Sequence, residues 1–394
     1  MPDNRSPDLG RPEVVVVGLG IWGAMTLWRL AARGVRAVGV EQFDIAHARG
    51  SSHGGTRMFR ETCLENEALV PTARRSLELW RELERATGTR LVEDTGGLLI
   101  GPRDGRQAGA TLASAQAHGV EVEVLVPGEL MRRFPGHAGI PDGHVGVWEP
   151  SAGVLRAEES VRAAIAQAEH HGATVVSGTR VLGVEPEPGG VRVRTALRDL
   201  VADQVVLTPG CWLPGFAPGL GLRSVHLPMT WFAPRGDPAL FSRERFPVFM
   251  REIDADTVLW GQGDGDPRHV KLGLEPGPEP APYDPVNGDL ALTSAVWDRL
   301  GEVLPTAVPG VERFPSKVLN CGITTTADGQ FVLGAAPEDP RIVLAGGCNG
   351  YGFKHAAGIG DLLADVVLGA ADRTPLPFAA PGRLVAAEAT AAQF

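Results

Sequence analysis

The sequence predicts a two-domain α/β fold. Three observations carry that expectation: a β-branched run at Val14–Val17 ending in a glycine-rich turn, a helix and second strand directly behind it, and further strand-like and helix-like stretches along a chain of 394 residues. A continuous apolar run of this kind suits a strand covered on both faces of a parallel sheet. A chain this long accommodates two domains of ordinary size and a large core.

The elements follow in order. After the first strand, a helical stretch from about Trp22 to Ala32 is closed by Gly34. Arg36–Val40 reads as a second strand ending at Glu41, completing one βαβ unit. From Glu67 to Thr87, Leu69, Ala73, Leu77, Trp80 and Leu83 keep the spacing of one buried helix face. A further helix runs from about Ala157 to His170 and stops at Gly172. Thr174–Val176, Val191–Thr195 and Asp203–Leu207 read as short strands. Between Gly261 and Gly288, Gly, Pro and Asp predict a long loop, and long loops are often functional. Asp289 to Leu304 reads as helical, Ile342–Ala345 as a strand, and Ala356 to Leu368 as a helix behind a glycine-rich turn.

Composition narrows the class. The chain is 43 % hydrophobic and 21 % charged, the profile of a soluble globular protein. Its 51 glycines and 32 prolines favour tight turns over a long helical bundle. The net charge is −10 and no basic block occurs, which argues against nucleic acid as a partner. Cys63, Cys211, Cys321 and Cys348 are far apart and form no CxxC pair, so neither a metal site nor a disulfide framework is expected. The first dozen residues are polar and no run reaches the length of a membrane span. A cytoplasmic protein is expected.

The first turn reads Gly18-Leu19-Gly20-Ile21-Trp22-Gly23, a GxGxxG pattern between strand and helix. The first glycine makes the tight turn, the second admits a pyrophosphate, and the third lets helix and strand pack closely. The helix N-terminus then presents its positive end to the phosphates. Glu41 lies 18 residues past Gly23, where a carboxylate accepts hydrogen bonds from the ribose hydroxyls. Strand, helix, acid and position agree on dinucleotide binding. The acid disfavours the 2′-phosphate of NADP, but does not separate NAD from FAD.

Two further blocks stand out: Gly50-Ser51-Ser52-His53-Gly54-Gly55-Thr56-Arg57-Met58-Phe59-Arg60 and Gly347-Cys348-Asn349-Gly350-Tyr351-Gly352-Phe353-Lys354. Arg57 and Arg60, three apart, would share a face on a helical turn, and arginine binds carboxylates and phosphates with paired hydrogen bonds. Lys354, between Phe353 and an apolar helix, would need an anionic partner if buried. Taken alone, Lys271 in His269-Val270-Lys271-Leu272-Gly273 reads as a solvated lysine, and Cys321 as a small buried apolar residue.

With these blocks the chain resembles the monomeric sarcosine oxidase and N-methyl amino acid oxidase family, FAD-dependent enzymes of the D-amino-acid-oxidase-type fold. The resemblance spans essentially the whole chain. It implies a glutathione-reductase-like FAD-binding βαβ domain assembled from residues 1–90, 150–222 and 318–394. A second, mixed-sheet substrate domain takes residues 91–149 and 223–317. It places FAD against Gly18, Gly20, Ile21, Trp22, Gly23, Glu41, Gln42, Ser51, Ser52, His53, Thr56, Arg57, Val181, Gly347, Asn349, Gly350, Gly352, Phe353 and Lys354. It also implies a covalent 8α-S-cysteinyl link at Cys321, whose thiol should then sit in an electropositive setting that lowers its pKa.

The same resemblance implies that Arg60 and Lys354 clamp a substrate carboxylate, that Thr324 lies near the substrate, and that Lys271 stabilises superoxide as oxygen reoxidises the flavin. The expected activity is oxidation of the C–N bond of a small amino acid to an imine, with H2O2 as second product, by a monomer. Departures from the family lie in the pocket. Glu275 stands where the sarcosine oxidases carry histidine, Ile323 where they carry an aromatic residue, Trp260 where they carry tyrosine, and Gly55 replaces an acid. With Tyr351, the altered wall suits a larger, cyclic or cationic amino acid better than sarcosine. No histidine has a motif for a general base; Glu275 and His355 are the candidates, or the amine binds unprotonated. Three alternatives stand beside this reading: an electron acceptor other than oxygen, an NAD-dependent dehydrogenase, and a flavin-binding protein without catalysis.

Overall fold

The computed structural model describes residues 10–277, 280–286 and 294–385. Two sheets organise them. The first has six strands in the order Val332–Ala335, Ile342–Gly346, Gln204–Leu207, Val14–Val17, Ala37–Val40 and Thr174–Val176. Its five inner and edge pairings are parallel except the one between Val332–Ala335 and Ile342–Gly346. The first strand is central and all four of its valines are buried. That is why it reads as an unbroken β-branched run rather than an alternating one.

Three helices cover one face of this sheet. Ile21–Ala32 packs against both Ala157–His170 and Ala356–Leu368. Charge fastens the layer at its rim: Asp361 pairs with Arg29, with Arg33 just past the end of the same helix, and with Arg75 of the helix Val70–Thr87. The expected helix from Glu67 is a 3-10 turn, Glu67–Leu69, followed by the α-helix Val70–Thr87.

The second sheet is mixed and has eight strands, ordered Lys317–Leu319, Met229–Phe232, Val270–Leu274, Val258–Gly263, Val248–Glu252, Gly97–Pro102, His144–Glu149 and Glu123–Leu125. A large aromatic and aliphatic cluster, including Phe134, Phe232, Phe246 and Phe249, backs it. Strand alternation decides which side chains meet the space between the two sheets. On Val270–Leu274, Val270 and Leu272 enter the cluster, while Lys271 and Gly273 take the other face.

Three expectations need correction. The long loop expected from Gly261 to Gly288 is replaced in its first half: Val258–Gly263 and Val270–Leu274 form an antiparallel hairpin there, while residues 275–277 and 280–286 carry only an isolated bridge at Pro282, and 278, 279, 287 and 288 lie outside the described residues. The Gly and Asp residues of that first half make the hairpin tip, where the Asp266 carboxylate accepts from Arg268 N. Arg57 and Arg60 do not share a helix face, because Thr56–Phe59 is a strand paired with Gly153–Arg156. The helix expected over 289–304 is Ala295–Ala307, and its first expected residues, 289–293, lie outside the described residues.

Close approach at the first turn holds the six-stranded sheet to its helix layer. A Cβ on Gly23 would lie 1.9 Å from Gly18 O and 2.6 Å from Thr208 Oγ1. We expect Gly23→Ala to destabilise the fold by about 1–3 kcal/mol, the usual result of overpacking. Urea unfolding of the two proteins side by side measures it; equal midpoints would refute the packing argument.

Candidate active site

A cavity of about 2130 Å³ opens between the two sheets. It is larger than the few hundred to about 1,000 Å³ of an ordinary ligand pocket, so it has room for a dinucleotide and a small substrate together. One end is built by the first turn. Gly18 has φ +87, a conformation open to glycine, and a Cβ there would meet Pro209. Ile21 N donates to Ser52 Oγ at 3.0 Å, which ties the helix N-terminus to the second glycine-rich block. The Glu41 carboxylate, at the end of the second strand, accepts from Leu19 N and Phe43 N at 2.8 and 3.0 Å. Gly20, Trp22, Gln42, Ser51 and Val181 share this wall. A glycine cradle at a helix N-terminus with an acid beside it fits the pyrophosphate and ribose of FAD.

The other end is closed by the C-terminal block. Gly347, Asn349, Gly350, Tyr351, Gly352, Phe353 and Lys354 all line the cavity. Trp22 Nε1 donates to Gly352 O at 2.9 Å, so the first helix holds this block in place. Arg57 donates to Ser51 O and Thr56 O, and its guanidinium lies 5.7 Å from the Phe353 ring centroid. Gly23 and His53 belong to the expected cofactor set but sit behind the wall. Burial, then Arg57, lowers the His53 pKa to about 4, so its ring is neutral.

Lys271 is buried, and Nζ donates to Gly54 O at 2.8 Å and Thr56 O at 3.0 Å. Gly54 N in turn donates to Glu158, which fixes the loop. Burial, then Arg57, holds the Lys271 pKa well below that of an ordinary lysine. Cys321 is buried on the cavity wall beside Ile323 and Thr324. The expectation of a lowered thiol pKa is not met. Burial pushes the Cys321 thiol up, and Arg57 and Lys271 offset this only in part. The Thr324 hydroxyl donates to Gly210 O at 2.7 Å, and the Tyr351 hydroxyl to Gly329 O at 2.7 Å. Trp260 and Glu275 line the cavity from the eight-stranded sheet.

Arg60 and Lys354 come together, and between them is a residue that sequence reasoning missed. Glu65 forms an ion pair with Arg60, and its other oxygen lies 3.9 Å from Lys354 Nζ. Both cations are almost fully buried. Lys354 also donates to Thr62 O at 2.9 Å and to Cys63 Sγ at 3.4 Å. Burial works against every charge in this cluster. Even so, Arg60 and then Lys354 keep Glu65 below the usual carboxylate range, and Glu65 keeps Arg60 charged. Lys354, whose contact with Glu65 is 3.9 Å long, is lowered by burial and by Arg60. Glu65 lies in an irregular stretch where no periodicity marks it; the only signal is an acid five residues after Arg60. His355, a candidate base, is buried behind the wall, and burial holds it neutral.

Fold and site together define a dinucleotide flavoprotein with a buried, cation-rich reaction chamber. The chain belongs to the FAD dependent oxidoreductase family, whose model matches residues 13–366. It is an enzyme acting on an amine or amino acid donor. It is 32 % identical over 385 residues to monomeric sarcosine oxidase of Streptomyces avermitilis, covering 96 % of this chain and 99 % of that protein. N-methyl-L-tryptophan oxidase of Yersinia pestis is 26 % identical over 89 % of this chain and 94 % of its own. Among solved structures, NikD, an unusual amino acid oxidase essential for nikkomycin biosynthesis, superposes with a TM-score of 0.79 at 25 % identity. That match covers 94 % of this chain and 97 % of NikD.

Breaking a buried ion pair from one side costs about 3–5 kcal/mol, because the remaining charge is stranded. We expect Glu65→Gln to destabilise the flavin-free protein by that order at neutral pH. The Glu65 pKa is lower folded than unfolded, so its contribution is full above the ordinary carboxylate range and fades as pH falls below it. The gap between wild type and variant in urea should therefore narrow between neutral and acid pH. A gap that stays constant with pH would refute the ion-pair account.

Proposed function

We propose that the protein oxidises the C–N bond of a small α-amino acid to an imine, with FAD linked covalently through Cys321 and O2 as the electron acceptor, giving H2O2. The observation that carries this reading is the clamp: Arg60 and Lys354 already hold a carboxylate, that of Glu65, at the cavity wall. A substrate carboxylate takes the place of Glu65 there. Two buried cations in a low-dielectric wall favour such a group over a neutral one. FAD, when bound, supplies the hydride acceptor for the C–H bond next to the nitrogen.

The chain's own residues orient the substrate. Arg60 and Lys354 fix one end, and Ile323, Trp260 and Tyr351 form the wall around the rest. The Thr324 hydroxyl donates to Gly210 O and so ties the strand Gly322–Thr325 to the turn after Gln204–Leu207. Proximity and orientation of this kind supply much of a rate enhancement. Lys271, held rigidly by Gly54 O and Thr56 O, presents preorganised N–H donors where negative charge develops on oxygen. Cys321 supplies the sulfur of the thioether, aided by the positive fields of Arg57 and Lys271. The relative named a monomeric sarcosine oxidase, matched over 96 % of this chain, supports a monomer.

Anaerobic bleaching of the flavin by amino acids and by their amides tests the central claim. Amino acids should bleach it and amides should not. Arg60→Met should lower kcat/KM about 100-fold, the order of a hydrogen bond to a charged group. Equal rates with the amides would refute the clamp. In acid precipitation, the yellow colour should stay with the wild-type pellet and leave that of Cys321→Ala; colour lost from both would refute the covalent link.

A further inference from the structure

The cavity wall supplied by the eight-stranded sheet has its own order. On the strand Val270–Leu274, Lys271 and Gly273 face the cavity side, and Glu275, one step past the strand's end, continues that face. Trp260 pairs with Gly273, and its indole fills the gap: a Cβ on Gly273 would lie 2.2 Å from the ring. Lys271 and Glu275 are thus separated by about 13 Å along the strand, with an aromatic surface between them.

Glu275 is under-used. Its backbone N–H bonds to Val258 O at 2.9 Å. Among the described residues its carboxylate accepts no hydrogen bond, and its one ion pair is a 3.9 Å contact with Arg106. Arg106 is 55 % exposed and so is easily displaced, whereas 34 % of Glu275 is exposed. The neighbouring acid, Glu252, is already committed to Gln107 N. The clamp residues Arg60 and Lys354, the Trp260 indole and Glu275 therefore line one cavity, with the Glu275 carboxylate held only by its long contact to the exposed Arg106.

We propose that Glu275 is a specificity residue that receives a cationic group at the far end of the substrate's side chain. The substrate class is an α-amino acid with an apolar stem ending in an ammonium or guanidinium group. The stem lies along Trp260, and the terminal cation displaces Arg106. This inference rests on the carboxylate clamp described above, which sets the substrate's direction in the pocket.

The electrostatics give the site a pH signature. Burial raises the Glu275 pKa; Arg106 lowers it, Glu65 raises it, Arg60 lowers it and Glu252 raises it, in falling order. A docked cation favours the ionised form. The preference for a cationic side chain should therefore strengthen as pH rises through and above the ordinary carboxylate range.

The test compares Nα-methyl-L-lysine with Nα-methyl-L-norleucine, which lacks only the terminal ammonium, using the flavin-loaded enzyme. The readouts are anaerobic flavin bleaching and the ratio of their kcat/KM values. Wild type should favour the lysine derivative about tenfold or more, increasingly so at higher pH. Glu275→Gln should bring the ratio near one and flatten its pH dependence. Arg106→Ala, which removes the competing guanidinium, should raise the ratio, an effect that a merely structural role would not produce. A wild-type ratio of one or below, or a ratio unmoved by both variants, would overturn the inference while leaving the amino acid reading intact. Failure of every α-amino acid to bleach the flavin would overturn that reading and this inference with it.

Discussion

The fold depends on one close approach, the contact of Gly23 with the Gly18 carbonyl and Thr208. Thr208 Oγ1 itself lies within hydrogen-bond distance of two carbonyl oxygens, Val17 O and Gly18 O, at 3.0 and 2.7 Å. This small contact joins the first strand, the first helix and the strand Gln204–Leu207. One residue earlier, Trp22 reaches Gly352 and adds the C-terminal block. Three segments distant in sequence are thereby fixed around one cavity. A methyl group at Gly23 leaves no room for that junction.

The second constraint is electrostatic. Arg60, Lys354, Lys271 and Arg57 put four basic side chains around the inner part of the cavity. Burying charge is costly unless each has a partner. The chain meets the cost in two ways. At the clamp it supplies a carboxylate, Glu65, between Arg60 and Lys354. At Lys271 it supplies backbone carbonyls, Gly54 O and Thr56 O, which accept from Nζ and fix its position. The first arrangement uses a side chain and the second uses main chain, and the proposed function assigns them the different tasks of binding and electrostatic stabilisation.

Much of this was legible in the sequence, for identifiable reasons. The first βαβ unit is set by local rules, a β-branched run, glycines and an acid at a fixed distance, and those rules act over a few residues. The helix Ala157–His170 and the helix Ala356–Leu368 were also readable, because amphipathic or continuously apolar patterns and a closing glycine mark them. The hairpin spanning Val258–Leu274 was not. Its glycines, Gly261, Gly263 and Gly273, look like loop residues. In fact they make room for neighbouring backbone and for Trp260. The three-residue spacing of Arg57 and Arg60 fits a helical turn equally well, because spacing alone does not show that Thr56–Phe59 pairs with Gly153–Arg156.

The sequence by itself determined the nucleotide-binding turn, the acid beside it, and the identity of the basic residues and the cysteine around the cavity. These are properties of residue type and short-range spacing. Only the tertiary structure decided what those residues meet. Glu65 reaches Arg60 and Lys354 across nearly 290 residues of chain in the second case, and Glu275 is left facing Trp260 and Arg106 by strand register. Burial, too, is a tertiary property. It raised the Cys321 thiol where a lowered one was expected, and it depressed Lys271, because desolvation depends on everything packed around a group and not on its neighbours in sequence.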